Sequence, residues 1–172
     1  AHQASALLEA GAGRVVVVLG HQFERLEPLI KGIAGATWSV NPDYAQGKTT
    51  SIKVGLNALG PEDPAAVIIL NVDQPRSPEM ISDLIRRHYA AGRLITIPTY
   101  RGKGGHPIVV DSALLPELRA ICEEAQGIKA VVRAHEESTH RVEMDSPEVL
   151  WDLNTPGDYQ EALTAGESPE TV

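Results

Sequence analysis

Asp73 is the residue of this chain best placed to do chemistry. It follows a mostly apolar run at residues 66–72 (Ala-Val-Ile-Ile-Leu-Asn-Val) and precedes Gln74-Pro75. A run of this kind reads as a buried parallel strand, and ligands of open α/β sheets sit outside the carboxyl ends of such strands. A carboxylate there can hold Mg²⁺, a hard cation that takes one or two carboxylates together with waters and phosphate oxygens. The same position also suits a turn cap ahead of Ser77, and the local pattern does not choose between the two. A second segment, Trp151-Asp152-Leu153-Asn154-Thr155-Pro156, places Asp152 and Asn154 on one face if the chain is extended there, so both can join Asp73 around a metal ion. Taken alone, that segment fits a capped helix entry better. In a third segment, residues 41–51, Gly47, Thr50 and Ser51 lead into a helix whose free N–H groups can receive the polar groups of a nucleotide.

Three tempting motifs fail on spacing. Gly47-Lys48-Thr49 resembles the end of a Walker loop, but that motif requires glycine at position 42, where Pro42 stands. His135 and His140 are five residues apart, whereas helical neighbours on one face lie three or four apart. Cys122 is the only cysteine, has no metal-spaced partner, and reads as a core residue.

The elements that must position these residues alternate between strand and helix. Helical patterns occupy residues 3–10, 77–91, 114–124 and 128–135, and the segment after Asn41 leads into another with Ile52, Leu56 and Leu59 as its buried stripe. Strand patterns occupy residues 14–19, 66–72, 94–98, 107–110, 141–144 and 149–154. A last helix starts at Thr155-Pro156-Gly157-Asp158, a hydroxyl cap followed by proline and an acid. The expectation is a three-layer Rossmann-like α/β fold with a mostly parallel sheet. One domain is expected over residues 1–165, with a frayed tail at 166–172. The chain opens on a helix where such folds open on a strand. A strand and glycine-rich loop, about 30 residues on the scale of a βα unit, are therefore expected before Ala1, the loop being mobile without nucleotide.

Composition limits the partners. The 172 residues carry a net charge of −8, which disfavours non-specific binding to nucleic acid or anionic membranes. A small anionic substrate needs only a few local cations, and Lys48, Lys53, Arg76, Arg101 and Lys103 lie near the candidate segments. The single cysteine fits a reducing compartment, so the cytoplasm is the expected location. No secretory signal pattern opens the chain, and a monomer or small homo-oligomer is expected.

Five pieces, in order, carry a resemblance: Val16-Val17-Val18-Leu19-Gly20-His21; Asn41-Pro42-Asp43-Tyr44 leading to Gly47 and Ser51; Asp73-Gln74-Pro75; Gly105-His106-Pro107; and Asp152-Leu153-Asn154-Thr155-Pro156 with Asp158. Together they resemble the MobA-like nucleotidyltransferase family, in its molybdenum-cofactor cytidylyltransferase branch. The resemblance implies a Rossmann-like fold and Mg²⁺-dependent transfer of a nucleotide monophosphate from a nucleoside triphosphate (CTP in this branch) to a phosphorylated acceptor such as molybdopterin. It implies Asp73 as the metal-holding catalytic carboxylate, with Asp152 or Asn154 assisting. Gly47, Thr50 and Ser51 fall on the nucleotide side, and Gly105, His106 and Pro107 on the acceptor side. Two departures stand out. The family's glycine-rich triphosphate loop does not occur in the chain, and Asn71 replaces a glycine common two residues before the acid. A nucleotide-sugar glycosyltransferase is the competing enzyme reading, because Asn71-Val72-Asp73 is one substitution from the paired acids such enzymes use. A non-catalytic nucleotide-binding regulatory module is the other.

Overall fold

The structure is a computed structural model that describes residues 1–60, 63–155, 157, 158 and 160. Seven strands and six helices carry the architecture among these residues: α1 (His2–Glu9), β1 (Val15–Leu19), α2 (Phe23–Lys31), β2 (Ala36–Val40), α3 (Lys48–Asn57), β3 (Ala66–Ile69), α4 (Pro78–Ala91), β4 (Ile95–Tyr100), β5 (Lys103–Gly104), β6 (Ile108–Asp111), α5 (Leu115–Ala120), α6 (Ile128–Ala134) and β7 (Thr139–Glu143). Strands β1 and β2 pair in parallel, from Val15 opposite Ala36 to Leu19 opposite Val40. The larger sheet has the order β3-β6-β4, with β7 parallel to β4 and the short β5 antiparallel to it. Only β5 and β6 run against the others in this sheet, because β4 turns back through Arg101-Gly102. The expected α/β fold is therefore present, its strands mostly running one way, with β5 and β6 reversed.

Alternation along β6 explains the three layers. Ile108 and Val110 join one buried cluster with Leu56, Leu115, Leu118 and Val131, from α3, α5 and α6. Val109 points the other way, into a cluster with Ala6, Met80, Ile81 and Leu84, from α1 and α4. Side chains of period two on a strand thus bind helices on both faces of the sheet. Helix α4 follows its sequence signals closely: the Ser77 hydroxyl accepts from the Met80 N–H at 3.3 Å, Pro78 opens the first turn, and Gly92 ends the helix. Residues 21–40, left unassigned by sequence, supply α2 and β2.

Three expectations need correction. The strand at residues 66–72 stops at Ile69, and Val72 is 89% exposed. In the β3–β6 register Ile69 faces Ile108, so Leu70 would have to pair with Pro107, which has no N–H to donate. Beyond it a turn forms, with the Gln74 N–H donating to the Asn71 carbonyl at 3.3 Å and the Asn71 side-chain amide to Gln74 Oε1 at 2.8 Å. The helix at 114–124 is confined to α5, after a 3₁₀ turn at Ser112–Leu114, because Ile121 leaves helical geometry and buries its side chain in the core. Residues 149–154 form no strand. A 3₁₀ turn occupies Pro147–Leu150, Trp151 is extended, and the Asn154 N–H then turns back to the Asp152 carbonyl at 3.1 Å, without a sheet partner among the described residues. The expected tail at 166–172 lies outside the described residues. The start of the last helix is partly described: Thr155 and Asp158 cap each other, the Asp158 N–H donating to the Thr155 hydroxyl at 3.2 Å and the Thr155 N–H to Asp158 Oδ2 at 2.7 Å.

Leu84 is fully buried where α4 meets the sheet. Leu84→Ala should cost about 2–5 kcal/mol, measured by urea unfolding, without changing the helical content of the remaining folded protein. A loss below about 0.5 kcal/mol, the scale of a surface substitution, would show that this face of the sheet is not packed as described.

Candidate active site

Four loops come together at the candidate site: residues 70–76 after β3, 144–155 after β7, 105–107 before β6 and 41–47 after β2. The first, residues 70–76, carries Asp73 and is held from two sides by three hydrogen bonds. Gln3 of α1 donates its side-chain amide to the Gln74 carbonyl, and the Arg76 N–H donates to Gln3 Oε1 at 3.4 Å. The Leu153 N–H donates to the Asp73 carbonyl at 2.7 Å. That last bond joins the two segments that sequence reading proposed as a composite metal site. Asp73 is half-buried, whereas Asp152 and Asn154 are exposed on either side of half-buried Leu153. The alternation expected of residues 151–154 is thus kept although no strand forms. Among the described residues no group of three or more His, Cys, Asp or Glu side chains converges as a ready metal cluster.

Arg76 organises the junction. Its side chain is buried, with 2% exposed. Nε donates to the His106 carbonyl at 2.7 Å, Nη1 to those of Pro75 at 2.7 Å and Trp151 at 3.1 Å, and Nη2 to that of Val149 at 2.8 Å. Burial pushes its pKa down to about 10, opposed by Glu148, Asp152 and Asp73, so the guanidinium remains charged at neutral pH. Glu148 adds a second tie, accepting from both the N–H and the hydroxyl of Ser77 at 2.8 Å.

The third loop, Gly105-His106-Pro107, lies beneath Val149. The His106–Pro107 bond is cis, and the His106 N–H donates to the Val149 carbonyl at 3.4 Å. A side chain at Gly105 would overlap that carbonyl oxygen, so the approach of the two loops requires glycine. Burial lowers the His106 imidazole to about 4, with Lys48 and Arg76 adding to the effect and Asp152 opposing it. His106 is therefore neutral at pH 7.

The fourth loop precedes α3. Asn41 is 1% exposed, and its amide donates to the Thr50 and Ser51 hydroxyls at 2.9 Å while its Oδ1 accepts from the Asp43 N–H at 3.0 Å. The Thr50 hydroxyl in turn donates to the Gly47 carbonyl at 2.7 Å, so it is engaged on both sides. Gly47 has φ +122°, and Glu123 fills the space where a Cβ would stand. The Glu123 carboxylate accepts from the Thr49 N–H at 2.7 Å, which holds its pKa below the usual carboxylate range. One of the α3 N–H groups assigned by sequence to a nucleotide is thus occupied by an acid of the chain itself. Lys48 keeps an exposed surface; crowding by its neighbours lowers its pKa, and Asp73, Asp152 and Glu123 act against this. A cleft of about 720 Å³ opens from here towards α6, lined in part by Lys48, His106, Glu123, Lys129, Arg133 and Arg141. Its lining takes in Lys48 and His106 but neither Asp73 nor Asp152.

The structure therefore brings Asp73, Asp152, Asn154, Gly105 and His106 to one junction through backbone contacts, and Lys48 carries the segment from Gly47 to Ser51 towards it. Sequence reading missed Glu123 and Glu148, whose partners are 74 and 71 residues away, and took Arg76 only as a nearby cation. The position of Arg76 between Pro75 and the helix cap Ser77 was the signal that could have found it.

A three-layer α/β fold with acids beyond its strand ends, beside a cleft with several cationic side chains, fits an enzyme that handles a phosphorylated ligand. The chain belongs to the MobA-like NTP transferase family, whose domain model matches residues 1–139. It is 27% identical over 157 residues to the molybdenum cofactor cytidylyltransferase of Escherichia coli K12, covering 90% of this chain and 74% of that protein. It is 32% identical over 103 residues to the bifunctional protein GlmU of Mycobacterium ulcerans, covering 57% of this chain and only 21% of GlmU. Among solved structures, Rv0371c of Mycobacterium tuberculosis in complex with manganese superposes with a TM-score of 0.74 at 20% identity, covering 94% of this chain and 83% of that one. The last likeness shows a shared fold. No described helix is long and apolar enough to cross a membrane.

In an NMR titration the His106 imidazole should titrate near 4. Its folded pKa is depressed, so its contribution to stability is present above 6.5 and is lost as the pH falls through 4. A midpoint near 6.5 would show the ring to be solvated instead. Gly105→Ala should destabilise the protein by roughly 1–3 kcal/mol in thermal unfolding, since the Val149 carbonyl has to move away. An unchanged melting temperature would mean that the two loops are not in contact.

Proposed function

We propose that this nucleotidyltransferase moves CMP from CTP to the phosphate of molybdopterin, or of a related phosphomonoester, in the cytoplasm. The observation that carries the reading is the bond from the Leu153 N–H to the Asp73 carbonyl, 2.7 Å, which sets the Asp73 and Asp152 loops side by side. The likeness to the E. coli cytidylyltransferase supports the choice of CTP and of acceptor, and favours nucleotidyl transfer over sugar transfer.

The donors at the junction fit a divalent cation. Asp73 and Asp152 offer hard carboxylate oxygens, and Mg²⁺ completes its shell with waters and phosphate oxygens. The manganese in the Rv0371c structure supports a divalent ion in this fold. Asp73 and Asp152 would hold Mg²⁺, with Asn154 beside them; the bound ion supplies charge neutralisation on the phosphates. An acceptor oxygen attacks the α-phosphorus of CTP, forming a new P–O bond. The bond to the β-phosphate breaks, and pyrophosphate leaves with its electron pair. A phosphomonoester is largely ionised at pH 7, its second pKa lying near 6, so no general base is required. Neutral His106 is in the form that can donate to an acceptor oxygen without holding a fixed charge, and Gly105 and Pro107 shape that side. Gly47, Thr50 and Ser51 form the nucleotide side, where Lys48 feels the charges of the two acids.

Asp73→Asn in the full-length protein tests this reading. The variant should keep its melting temperature within a few degrees, because Asp73 lies beyond the end of β3 and bonds to Leu153 through its backbone carbonyl. Pyrophosphate release with CTP, Mg²⁺ and acceptor should fall 10²-fold or more, about 2.7 kcal/mol of transition-state stabilisation. Turnover within about threefold of the unsubstituted protein, roughly 0.7 kcal/mol, would make Asp73 a turn residue and defeat the assignment.

A further inference from the structure

We propose that Arg76 is the positioning residue of the active site: its buried guanidinium locks the loops bearing Asp73, His106 and Asp152 into one frame. The inference rests on the nucleotidyl-transfer reading for its catalytic consequence, but its structural content stands on the contacts alone. Among the described residues no other side chain bonds to all three loops. The four carbonyl oxygens that Arg76 engages belong to Pro75, His106, Val149 and Trp151, residues separated from it by up to 75 positions in sequence.

Three properties make this a device for positioning. First, the guanidinium is planar and presents its donors in a fixed fork, so four bonds define the relative placement of three backbones. Second, among the described residues no carboxylate lies within ion-pair distance of Arg76, although Glu148, Asp152 and Asp73 act on it through space. The buried charge is solvated by carbonyl oxygens, and moving any one loop away would leave charge and carbonyl short of a partner. Third, Val149 is a shared hub: its carbonyl accepts from Arg76 Nη2 at 2.8 Å and from the His106 N–H at 3.4 Å, against Gly105. A displacement of one loop is therefore felt by the other two.

Arg76→Lys in the full-length protein is the decisive variant, because it keeps the charge and loses the planar fork. An ammonium has three donors and cannot reach four carbonyls in the same plane. The amides of His106 and Leu153, which bond across the loops, are expected to lose protection in hydrogen exchange together, by tenfold or more. Those inside α4 and β4 should stay within threefold. In the same sample, at a temperature well below melting, kcat for pyrophosphate release should fall at least tenfold with KM for CTP changed less than threefold. In Arg76→Gly, which removes the fork, millimolar ethylguanidine should restore part of the lost kcat, and ethylammonium should not. Uniform loss of protection across the whole fold would overturn the proposal, since Arg76 would then serve overall stability. Local loss of protection with kcat within threefold would overturn it too. If the unsubstituted protein fails to turn over CTP, the CTP reading falls, and the exchange pattern in Arg76→Lys still decides whether Arg76 locks the loops. If Arg76→Gly does not fold, the exchange and kinetic readouts of Arg76→Lys decide the matter alone.

Discussion

A buried cation without a direct ion pair constrains this molecule more than any other single feature. Transferring a guanidinium out of water is expensive, and the charge persists only where strong dipoles replace the lost hydration. Here the dipoles are carbonyl groups of four residues from three loops. Each of these loops would otherwise present unpaired carbonyls near the carboxyl edge of the sheet. Cation and loops thus satisfy one another, and the acids at that edge inherit a defined spacing from backbone contacts. The field of Glu148, Asp152 and Asp73 keeps the group protonated despite its burial.

The half of the candidate site around α3 uses another method. Asn41 is almost fully enclosed and spends its amide on two hydroxyls of α3 and its carbonyl oxygen on Asp43, which folds residues 41–51 into a compact turn. Glu123 then places a negative charge on the first turn of α3, where unpaired N–H groups and the helix dipole favour an anion. The N-terminus of α3, beside Lys48, is therefore already partly satisfied by the chain itself. Burial and Lys129 lower the pKa of Lys48 here, while the opposing charges of Asp73, Asp152 and Glu123 act the other way.

The sheet supplies the rigid reference for both halves. Strand β6 enters it in reverse, between β3 and β4, and its alternating side chains fasten helices to both faces. The reversal also explains where the site begins. Antiparallel pairing of β3 with β6 ends opposite Pro107, and the chain lies outside the sheet at that level in residues 70–76 on one side and 105–107 on the other.

Sequence alone determined the alternation of strands and helices, the layered fold, the caps of α4, and the acid and glycine positions that proved to lie together. These follow from local chemistry: side-chain period, turn residues and cap geometry act over a few positions, and nearby residues suffice to reveal them. Sequence overextended β3, because the register that brings Pro107 opposite Leu70 is set between strands about 40 residues apart. It also read residues 149–154 as a strand, since alternation persists there while the hydrogen bonds go to Arg76 and Glu148 instead of a sheet. Only the tertiary structure decided that Glu123 caps α3, that Glu148 braces Ser77 and that Arg76 joins three loops. Each is a contact between residues distant along the chain, and a buried polar group chooses its partner by the space that folding leaves around it.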